Sequence, residues 1–507
     1  MVNTLTIKEK KTLPQVSLST FRKEVITDFM QMTLLFLVSV YAVYYGPTLF
    51  NYLYFLGLLF LFWKSDKDYF WYGFYFIIIN TPVFLFFETS SGASNRLPLY
   101  SLAGGLSFSV YDLFTFTALA KVVTKGKRKP FYLTRSLRFL LVYFLLVSIP
   151  LSFIIGSGES SFVNTFRPYF YYTLLISFYF LVDDVEDLYR FGYLMVPYVF
   201  LTLFDQLYLL MNGELLIAVI NPETVREVVD NTITGGIRAY FSCFLLIFYA
   251  FLFALQLRSA PRYELFSGLA YLVIFVSLTT FVLSATRAYL MMPLTVLIMY
   301  FVVSSQGVTD MIKFTVFGAI LGIIFFSLNL ISFDYFLENI WPRFEAFFGT
   351  LLGSGSLAKF DTVQSRLSED LPHILEGIEF SPIIGAGFSG IFREYANNDL
   401  GFLNTILLFG FVGFGFFIYF LVILFKKLSQ WVHHAMADRS SSTILNSIRM
   451  VFVGIILGYA TTYDFFTVRQ VERIFFVAII LASAEIAIHQ IQTTTDKSFF
   501  HPKNHKP

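Results

Sequence analysis

The chain has 507 residues, of which 56% are hydrophobic and only 14% are charged, and its mean hydropathy is +0.68. A soluble protein of this length has too little interior to hide so much apolar surface, so the composition excludes a water-soluble globular protein and indicates one embedded in a bilayer. The single cysteine, Cys243, excludes a disulfide within one copy of the chain and a cysteine-based metal site.

The chain begins with a polar, basic tail at residues 1–29, which lacks the apolar core of a cleavable signal peptide. Apolar runs follow that are long enough to cross hydrocarbon as helices, in which the backbone satisfies its own hydrogen bonds. We predict about fourteen such spans. They lie near residues 30–47, 50–63, 69–87, 103–123, 137–156, 166–182, 191–211, 239–257, 265–285, 288–304, 314–332, 400–425, 449–465 and 472–490. The predicted fold is therefore an all-α, polytopic integral membrane helical bundle.

Basic residues predict which ends of these spans are cytoplasmic. The richest basic segment, KGKRK at residues 125–129, follows the fourth span. Most other lysines and arginines fall on the same side of the membrane when the spans alternate, and cytoplasmic segments carry such an excess. The apolar spans predict two bundle segments, residues 30–332 and 400–490. The basic residues predict that the termini, residues 1–29 and 491–507, are cytoplasmic.

The basic residues left on the outer side are almost all arginines. They are Arg96, Arg167, Arg226, Arg238, Arg287, Arg343, Lys359, Arg366, Arg393, Arg469 and Arg473. Arginine binds a phosphate or carboxylate through two parallel hydrogen bonds, so this bias favours an anionic ligand on the outer face. The alternative is that single arginines at helix ends extend their long side chains to water.

A long outer loop is predicted at residues 333–399, and loops of this length usually carry helices and function. Apolar residues recur at helical spacing from Ser365 to Ile378, which predicts a helix that Ser381 and Pro382 end. Gly385 and Gly387 then form a predicted turn. We interpret the helix as a lid over the bundle and the glycine turn as its hinge.

Four outer arginines and one acid are predicted to lie at one depth, near the outer boundary. Arg167, Arg238 and Arg287 open or join spans, Arg366 begins the loop helix, and Asp399 precedes the twelfth span. Arginines beside helix N-termini suit a diphosphate. Asp399 is a candidate general base for a sugar hydroxyl. The alternative for Asp399 is the N-cap of the twelfth helix.

Two further acids, Asp112 and Asp205, lie inside predicted spans. Carboxylates are costly there and usually functional. The alternative is that tyrosines of neighbouring helices satisfy them by hydrogen bonds. No spacing of histidine, cysteine and acidic residues is typical of a metal site, and no metal or cofactor is expected.

Several short motifs follow one another in the second half of the chain. They are GGIRAY at 235–240, LSATRA at 283–288, Arg366, SPIIGAGF at 381–388, NDL at 398–400, and Gly410 with Gly413. Together they resemble the signature of the O-antigen polymerase and O-antigen ligase superfamily (Wzy/WaaL-like membrane glycosyltransferases), over residues 230–415. The ligase branch of that family has a histidine where this chain has Asp399, which favours the polymerase branch.

The resemblance implies a metal-independent, inverting glycosyltransferase on the outer side of the bacterial inner membrane. Its donor and acceptor would both be undecaprenyl-diphosphate-linked oligosaccharides, so that it joins repeat units of an O-antigen, capsule or exopolysaccharide. Arg238, Arg287 and Arg366 match the family's functional arginines and would hold the diphosphate. Arg167 fits the pattern less closely, and Asp399 would be the base.

Two alternatives stay open from the sequence. One is a ligase that transfers finished glycan to lipid A core or to a protein, and the other is a flippase for lipid-linked oligosaccharides. For the polymerase, membrane lipids, a chain-length regulator and a flippase are the expected partners, and nucleic acid is not.

Overall fold

The structure of the chain is a computed structural model. It describes residues 18–80, 97–101, 107–126, 129–155, 159–212, 243–284, 287–303, 307–327, 366–397, 400–435, 439–461, 466–467 and 470–499. In the first half these residues form α1 (Leu18–Tyr44), α2 (Thr48–Lys64), α3 (Asp68–Asn80), the strands β1 (Leu99–Ser101) and β2 (Ser107–Ser109), α4 (Val110–Lys125), α5 (Thr134–Ile154), α6 (Glu159–Phe170), α7 (Thr173–Leu181) and α8 (Val185–Asn212). In the second half they form α9 (Phe244–Ser259), α10 (Leu269–Leu283), α11 (Arg287–Val303), α12 (Gly307–Ser327), α13 (Leu371–Phe380), α14 (Gly390–Tyr395), α15 (Gly401–His434), α16 (Arg439–Thr461) and α17 (Val471–Phe499).

Four irregular turns accompany these elements in the described residues, and one of them is the 3-10 turn Pro261–Tyr263 between α9 and α10. Helix α5 starts with a 3-10 turn at Thr134–Leu137 and contains a π turn at Phe144–Ser148. A second π turn, Arg366–Asp370, leads into α13. The two strands pair antiparallel, with Tyr100 opposite Phe108.

Within the described ranges, five helices are long and apolar enough to cross a membrane. The segments are Ser19–Val43, Thr134–Ile154, Gly401–His434, Arg439–Tyr459 and Val471–Thr493. Shorter apolar helices accompany them, among them α2, α9 and α10. The prediction of a helical membrane protein is confirmed at this level. The number of about fourteen spans and the outer position of the long loop stay predictions.

Several predicted spans differ from the structure in their bounds. Helix α1 begins at Leu18, inside the predicted tail 1–29, and α16 begins at Arg439, before the predicted start of its span at 449. Two further differences have a visible cause. Residues 107–109, which we placed in the fourth span, form β2 instead, and α4 begins only at Val110. The reason is a capping box, in which Ser109 and Asp112 bond each other's backbone N–H groups and fix the helix start. The predicted sixth span is divided between α6 and α7, because a turn at Tyr171 and Tyr172 follows Pro168, which weakens the end of α6.

The centre of the bundle consists of helices that are apolar on every side. Every residue of α3 is buried, and so are nearly all residues of α9. In α17, 89% of its most apolar window is buried. A helix without a polar face can only be stable when other helices or lipid surround it. These three helices are therefore the core on which the others pack, whereas only 17% of the corresponding window of α5 is buried.

Buried carboxylates tie the helix ends together at the side that we predict to be cytoplasmic. Asp310, at the start of α12, is fully buried and accepts hydrogen bonds from Arg258, Tyr271 and Tyr300, which belong to three other helices. Glu485 of α17 is also fully buried. Such acids are costly in a membrane bundle unless several donors satisfy them, and here they fix how the helices are arranged.

The carboxylate of Glu485 holds the chain that enters α5. It accepts the backbone N–H groups of Tyr132, Leu133 and Thr134 at 2.8, 2.9 and 2.8 Å, and the Thr134 hydroxyl at 2.9 Å. Lys427 of α15 donates to the Tyr132 carbonyl at 2.8 Å. The start of α5 is thus anchored to α15 and α17, which sets the position of the helix that lines the candidate site.

Candidate functional site

The motif glycine Gly410 breaks α15 in its apolar part. Its backbone dihedral angles, φ 65° and ψ −179°, are not helical. A break removes hydrogen bonds between successive turns of the helix, and in a membrane the freed N–H and C=O groups need other partners. The break therefore requires a polar segment of backbone to lie beside it.

The glycine-turn segment of the long loop, residues 381–388, supplies those partners. The N–H groups of Ala386 and Gly387 donate to the carbonyls of Leu407 and Leu408, at 2.7 and 3.0 Å. On the other side of the break, the N–H groups of Phe411 and Val412 donate to the carbonyls of Pro382 and Ile383, at 2.9 and 3.1 Å. The segment is thus inserted between the two halves of α15.

Four glycines permit this close approach. Gly385, Gly387 and Gly410 have positive φ angles of 83°, 59° and 65°, a region that disfavours other residues. A Cβ atom at Gly385 or Gly410 would overlap backbone atoms of the opposite segment. A Cβ at Gly413 would lie 2.6 Å from the Tyr143 ring.

Helix α5 clamps the inserted segment from the other side. The Tyr143 hydroxyl donates to the carbonyls of both Ile384 and Phe409, at 3.0 and 2.8 Å. The Ser152 hydroxyl accepts the Phe388 N–H at 2.6 Å. The Phe388 ring is fully buried and packs on Phe144, among other aromatic rings of α5 and α6. Our interpretation of the glycine turn as a hinge is therefore wrong, because both of its edges are bonded to the bundle.

The predicted loop helix lies next to this insertion. It consists of the π turn Arg366–Asp370 and α13, and its apolar face buries Ile374 and Ile378. Tyr395 of α14 packs near Gly377, and its ring lies 4.7 Å from the His373 ring between centroids, tilted by 32°. The nearby carboxylate of Glu376 raises the pKa of the Tyr395 phenol above its ordinary value. The helix begins and ends close to the predicted residues.

Arg167 is the one predicted diphosphate ligand whose side chain the structure describes. Its guanidinium forms an ion pair with Asp112, with Nε 3.0 Å from Oδ1. Asp112 also accepts the hydroxyls of Tyr171, at 2.7 Å, and Ser109, at 2.8 Å. Asp112 is thus satisfied by hydrogen bonds, as one of our two alternatives required. Arg167 remains 32% exposed, but much of its charge is neutralised.

The other predicted site residues are described only in part. Arg238 and Asp399 lie outside the described residues. Arg287 is the first residue of α11 and Arg366 the first of the π turn, and their side chains also lie outside the described part. The meeting of the arginines at one diphosphate therefore stays a prediction.

The neighbours of Asp399 bear on its alternative role as an N-cap. Helix α15 begins at Gly401, so the N-cap position falls on Leu400, which makes no side-chain cap bond. Asn404 holds the preceding chain instead, since its side-chain oxygen accepts the Asn397 N–H at 3.0 Å and its amide donates back to the Asn397 carbonyl. The cap position is therefore one residue later than the alternative requires.

Beside the inserted segment lies a cavity of about 790 Å³ that the sequence did not predict. Its walls come from α5, α6, α7, α15 and α17, and include Phe144, Phe166, Phe409 and Phe466. A volume of this size suits a small ligand or part of a larger one. The apolar faces of α5 and α7 are visible in the sequence, but the space between them depends on how the helices pack.

Neither protein-family models nor curated proteins supply a relative of this chain. No protein-family model matches the chain, and no curated protein matches it significantly. Among the described residues, no group of three or more His, Cys, Asp or Glu side chains is placed to hold a metal ion.

The close contacts of these glycines predict that an added Cβ atom lowers the stability of the protein at Gly385 and Gly410. Gly385→Ala and Gly410→Ala should each destabilise the protein by roughly 2–4 kcal/mol, because the added Cβ meets opposing backbone at a positive φ angle. Thermal unfolding of the purified chain in detergent measures this effect. Gly415→Ala is the matched control, since Gly415 lies in the same helix with open space around its Cβ position, and it should be neutral or slightly stabilising. Equal melting temperatures for all three variants would contradict the inserted arrangement.

The ion pair of Asp112 and Arg167 predicts energetic coupling. Asp112→Asn and Arg167→Gln should each lower the stability of the protein, whereas the double variant should lose less than the sum by roughly 1–3 kcal/mol. The coupling follows because one change leaves the buried Asp112 without its cation and the other leaves the partly exposed Arg167 without its anion. A double-mutant cycle of unfolding midpoints measures it, with Arg393→Gln as an exposed control. Strict additivity would show that the two groups act independently.

Proposed function

We propose that the chain is a membrane-integral polymerase of surface polysaccharide. It would transfer a glycan from undecaprenyl diphosphate to the non-reducing end of a second lipid-linked repeat unit, on the outer side of a bacterial inner membrane. The observation that carries the proposal is the insertion of residues 382–387 into the break at Gly410. Pro382, Gly385, Gly387, Gly410 and Gly413, the residues on which the family resemblance depends, form one hydrogen-bonded and tightly packed unit.

The break in the membrane helix α15 favours a binding site close to it. Irregular backbone at membrane depth is tolerated where protein or a cavity covers it, and such breaks commonly lie at binding sites. The insertion also fixes the two ends of the segment that contains Asp399, because Ala386 and Gly387 are bonded before it and α15 begins after it. A base needs this kind of fixed position relative to the acceptor.

The proposed reaction is a single displacement. The acceptor hydroxyl oxygen attacks C1 of the donor sugar as the bond between C1 and the phosphate oxygen breaks, and that electron pair leaves with the diphosphate. Asp399 takes the hydroxyl proton. Arg238, Arg287 and Arg366 stabilise the charge on the departing diphosphate. Arg167, which Asp112 partly neutralises, contributes mainly by positioning α6.

Transfer of finished glycan to lipid A core or to a protein would use the same chemistry. The products distinguish the two reactions when the chain is deleted from its host. A polymerase leaves single repeat units attached to the final acceptor, whereas loss of a ligase leaves long polymer on the carrier lipid.

The arginine assignment predicts loss of polymer in two variants. Arg287→Ala and Arg366→Ala should each lower polymer formation at least about 100-fold, because each removes a donor to the charge that develops on the diphosphate. Gel analysis of polysaccharide from complemented deletion cells measures this, alongside the amount of folded chain in the membrane. Arg393→Ala, an exposed arginine of α14, is the control and should retain activity. Full-length polymer from both variants would refute the assignment.

Asp399→Asn separates the base from a structural role. Asparagine is as good an N-cap as aspartate, and the cap position belongs to Leu400. The melting temperature should therefore stay within about 1 °C of that of the wild type. Activity should nevertheless fall at least about 100-fold, because the neutral asparagine amide cannot take up the proton of the acceptor hydroxyl. Thermal unfolding of the purified protein measures the first quantity, and an assay with lipid-linked repeat units measures the second. Retained activity would remove Asp399 from the mechanism.

A further inference from the structure

The cavity beside α5 has apolar walls and two charged side chains, Arg135 and Arg138. The hydroxyls on its walls are already used by the protein. Tyr169 and Tyr172 donate to the carbonyls of Thr467 and Phe466, at 2.5 and 2.9 Å. The hydroxyls of Thr134 and Thr173 donate to Glu485 and to the Phe170 carbonyl. The two guanidinium groups are therefore the charged groups that this wall offers to a ligand.

Arg135 and Arg138 are both exposed and lie three residues apart, on one side of the first turns of α5. Neither makes an ion pair with an acid of the described chain. Arg138 rests on the Phe139 ring, 4.8 Å from its centroid. Glu485, whose carboxylate binds the start of this turn, is buried and already accepts four hydrogen bonds. The end of the cavity is therefore positively charged and uncompensated.

The cavity has the length of a lipid chain in one leaflet. Its α5 wall runs from Thr134 to Phe144, which is about 15 Å at 1.5 Å per residue. That distance is roughly half of the 30 Å hydrocarbon thickness. The cationic end lies in the basic segment that the positive-inside rule places at the cytoplasmic surface. The far end is formed by aromatic rings, among them Phe166, Phe409 and Phe466.

We infer that this cavity binds an anionic phospholipid of the cytoplasmic leaflet, with its phosphate on Arg135 and Arg138 and one acyl chain in the apolar slot. Arginine recognises phosphate oxygens with two parallel donors, and the slot has the polarity and depth of an acyl chain. The bound chain would end at Phe409, whose carbonyl accepts the Tyr143 hydroxyl beside the break in α15. Lipid occupancy would therefore stabilise the inserted segment. This inference does not depend on the proposed enzymatic activity.

The test uses the full-length chain, purified in a neutral detergent, and two lipids with identical acyl chains. Phosphatidylglycerol should raise the melting temperature in a saturable way, and phosphatidylcholine should not. In the Arg135→Gln/Arg138→Gln variant, the half-saturating concentration of phosphatidylglycerol should rise roughly 10- to 30-fold, from about 1 kcal/mol lost per basic residue. Lys64→Gln/Lys426→Gln, which changes two exposed lysines outside the cavity lining, should leave that concentration unchanged.

A second variant separates the acyl chain from the headgroup. Ile176→Trp fills the slot from α7 without changing charge, and should weaken the binding of long-chain phosphatidylglycerol while leaving a short-chain, eight-carbon analogue unaffected. Undecaprenyl phosphate is added as a competitor to identify the source of the phosphate. Equal stabilisation by both phospholipids, or an unchanged response in the double arginine variant, would overturn the inference. So would displacement by undecaprenyl phosphate at concentrations far below those of phosphatidylglycerol, which would assign the cavity to the carrier lipid.

Discussion

A backbone that passes through hydrocarbon has to find a partner for every polar group, and this requirement is most demanding at Gly410. The break there leaves the N–H groups of Phe411 and Val412 and the carbonyls of Leu407 and Leu408 without helical partners. Residues 382–387 satisfy these four groups, and Tyr143 satisfies the carbonyl of Phe409 as well. Each of these bonds is worth little in water, but an unsatisfied group in the bilayer costs several kcal/mol. The inserted segment and the broken helix are therefore stable only together.

The polar junctions at the ends of the bundle serve the same arrangement. The Glu485 carboxylate fixes the chain before α5, and α5 in turn carries Tyr143 and Ser152 to the inserted segment. The π turn at Phe144–Ser148 lies between these two residues. Such a turn shifts the side chains on either side of it relative to one another, and π turns are frequent at functional sites. The contacts at the break thus depend on an acid of α17 that binds the start of α5, about ten residues before Tyr143.

The sequence predicted the parts of this structure that follow from local composition. Apolar runs predict helices. The helical spacing of apolar residues, among them Ile374 and Ile378, predicted α13. The break between α6 and α7 was missed because its residues are as apolar as those of a continuous span. The hinge interpretation failed for a similar reason. Glycines occur both in mobile turns and where two backbone segments approach closely. The contact of Gly385 with Gly410, which is distant in the sequence, shows that the second case applies here. The pair of Arg167 with Asp112 joins residues far apart in the chain, so no local pattern marks it.

The break and the cavity have a wall in common, which connects two sites that would otherwise be separate. Phe409 lines the cavity and immediately precedes Gly410, while Phe144 lines the cavity and packs on Phe388 of the inserted segment. An acyl chain bound in the cavity would contact both rings. A ligand that binds only the folded arrangement stabilises it by RT ln(1 + [L]/Kd), which reaches about 2.7 kcal/mol at 100 times Kd. This amount is comparable to the cost of one strained glycine position. A lipid bound in the cavity, as inferred above, would therefore add a stabilisation of about the same size as the backbone strain that one glycine of the inserted segment carries.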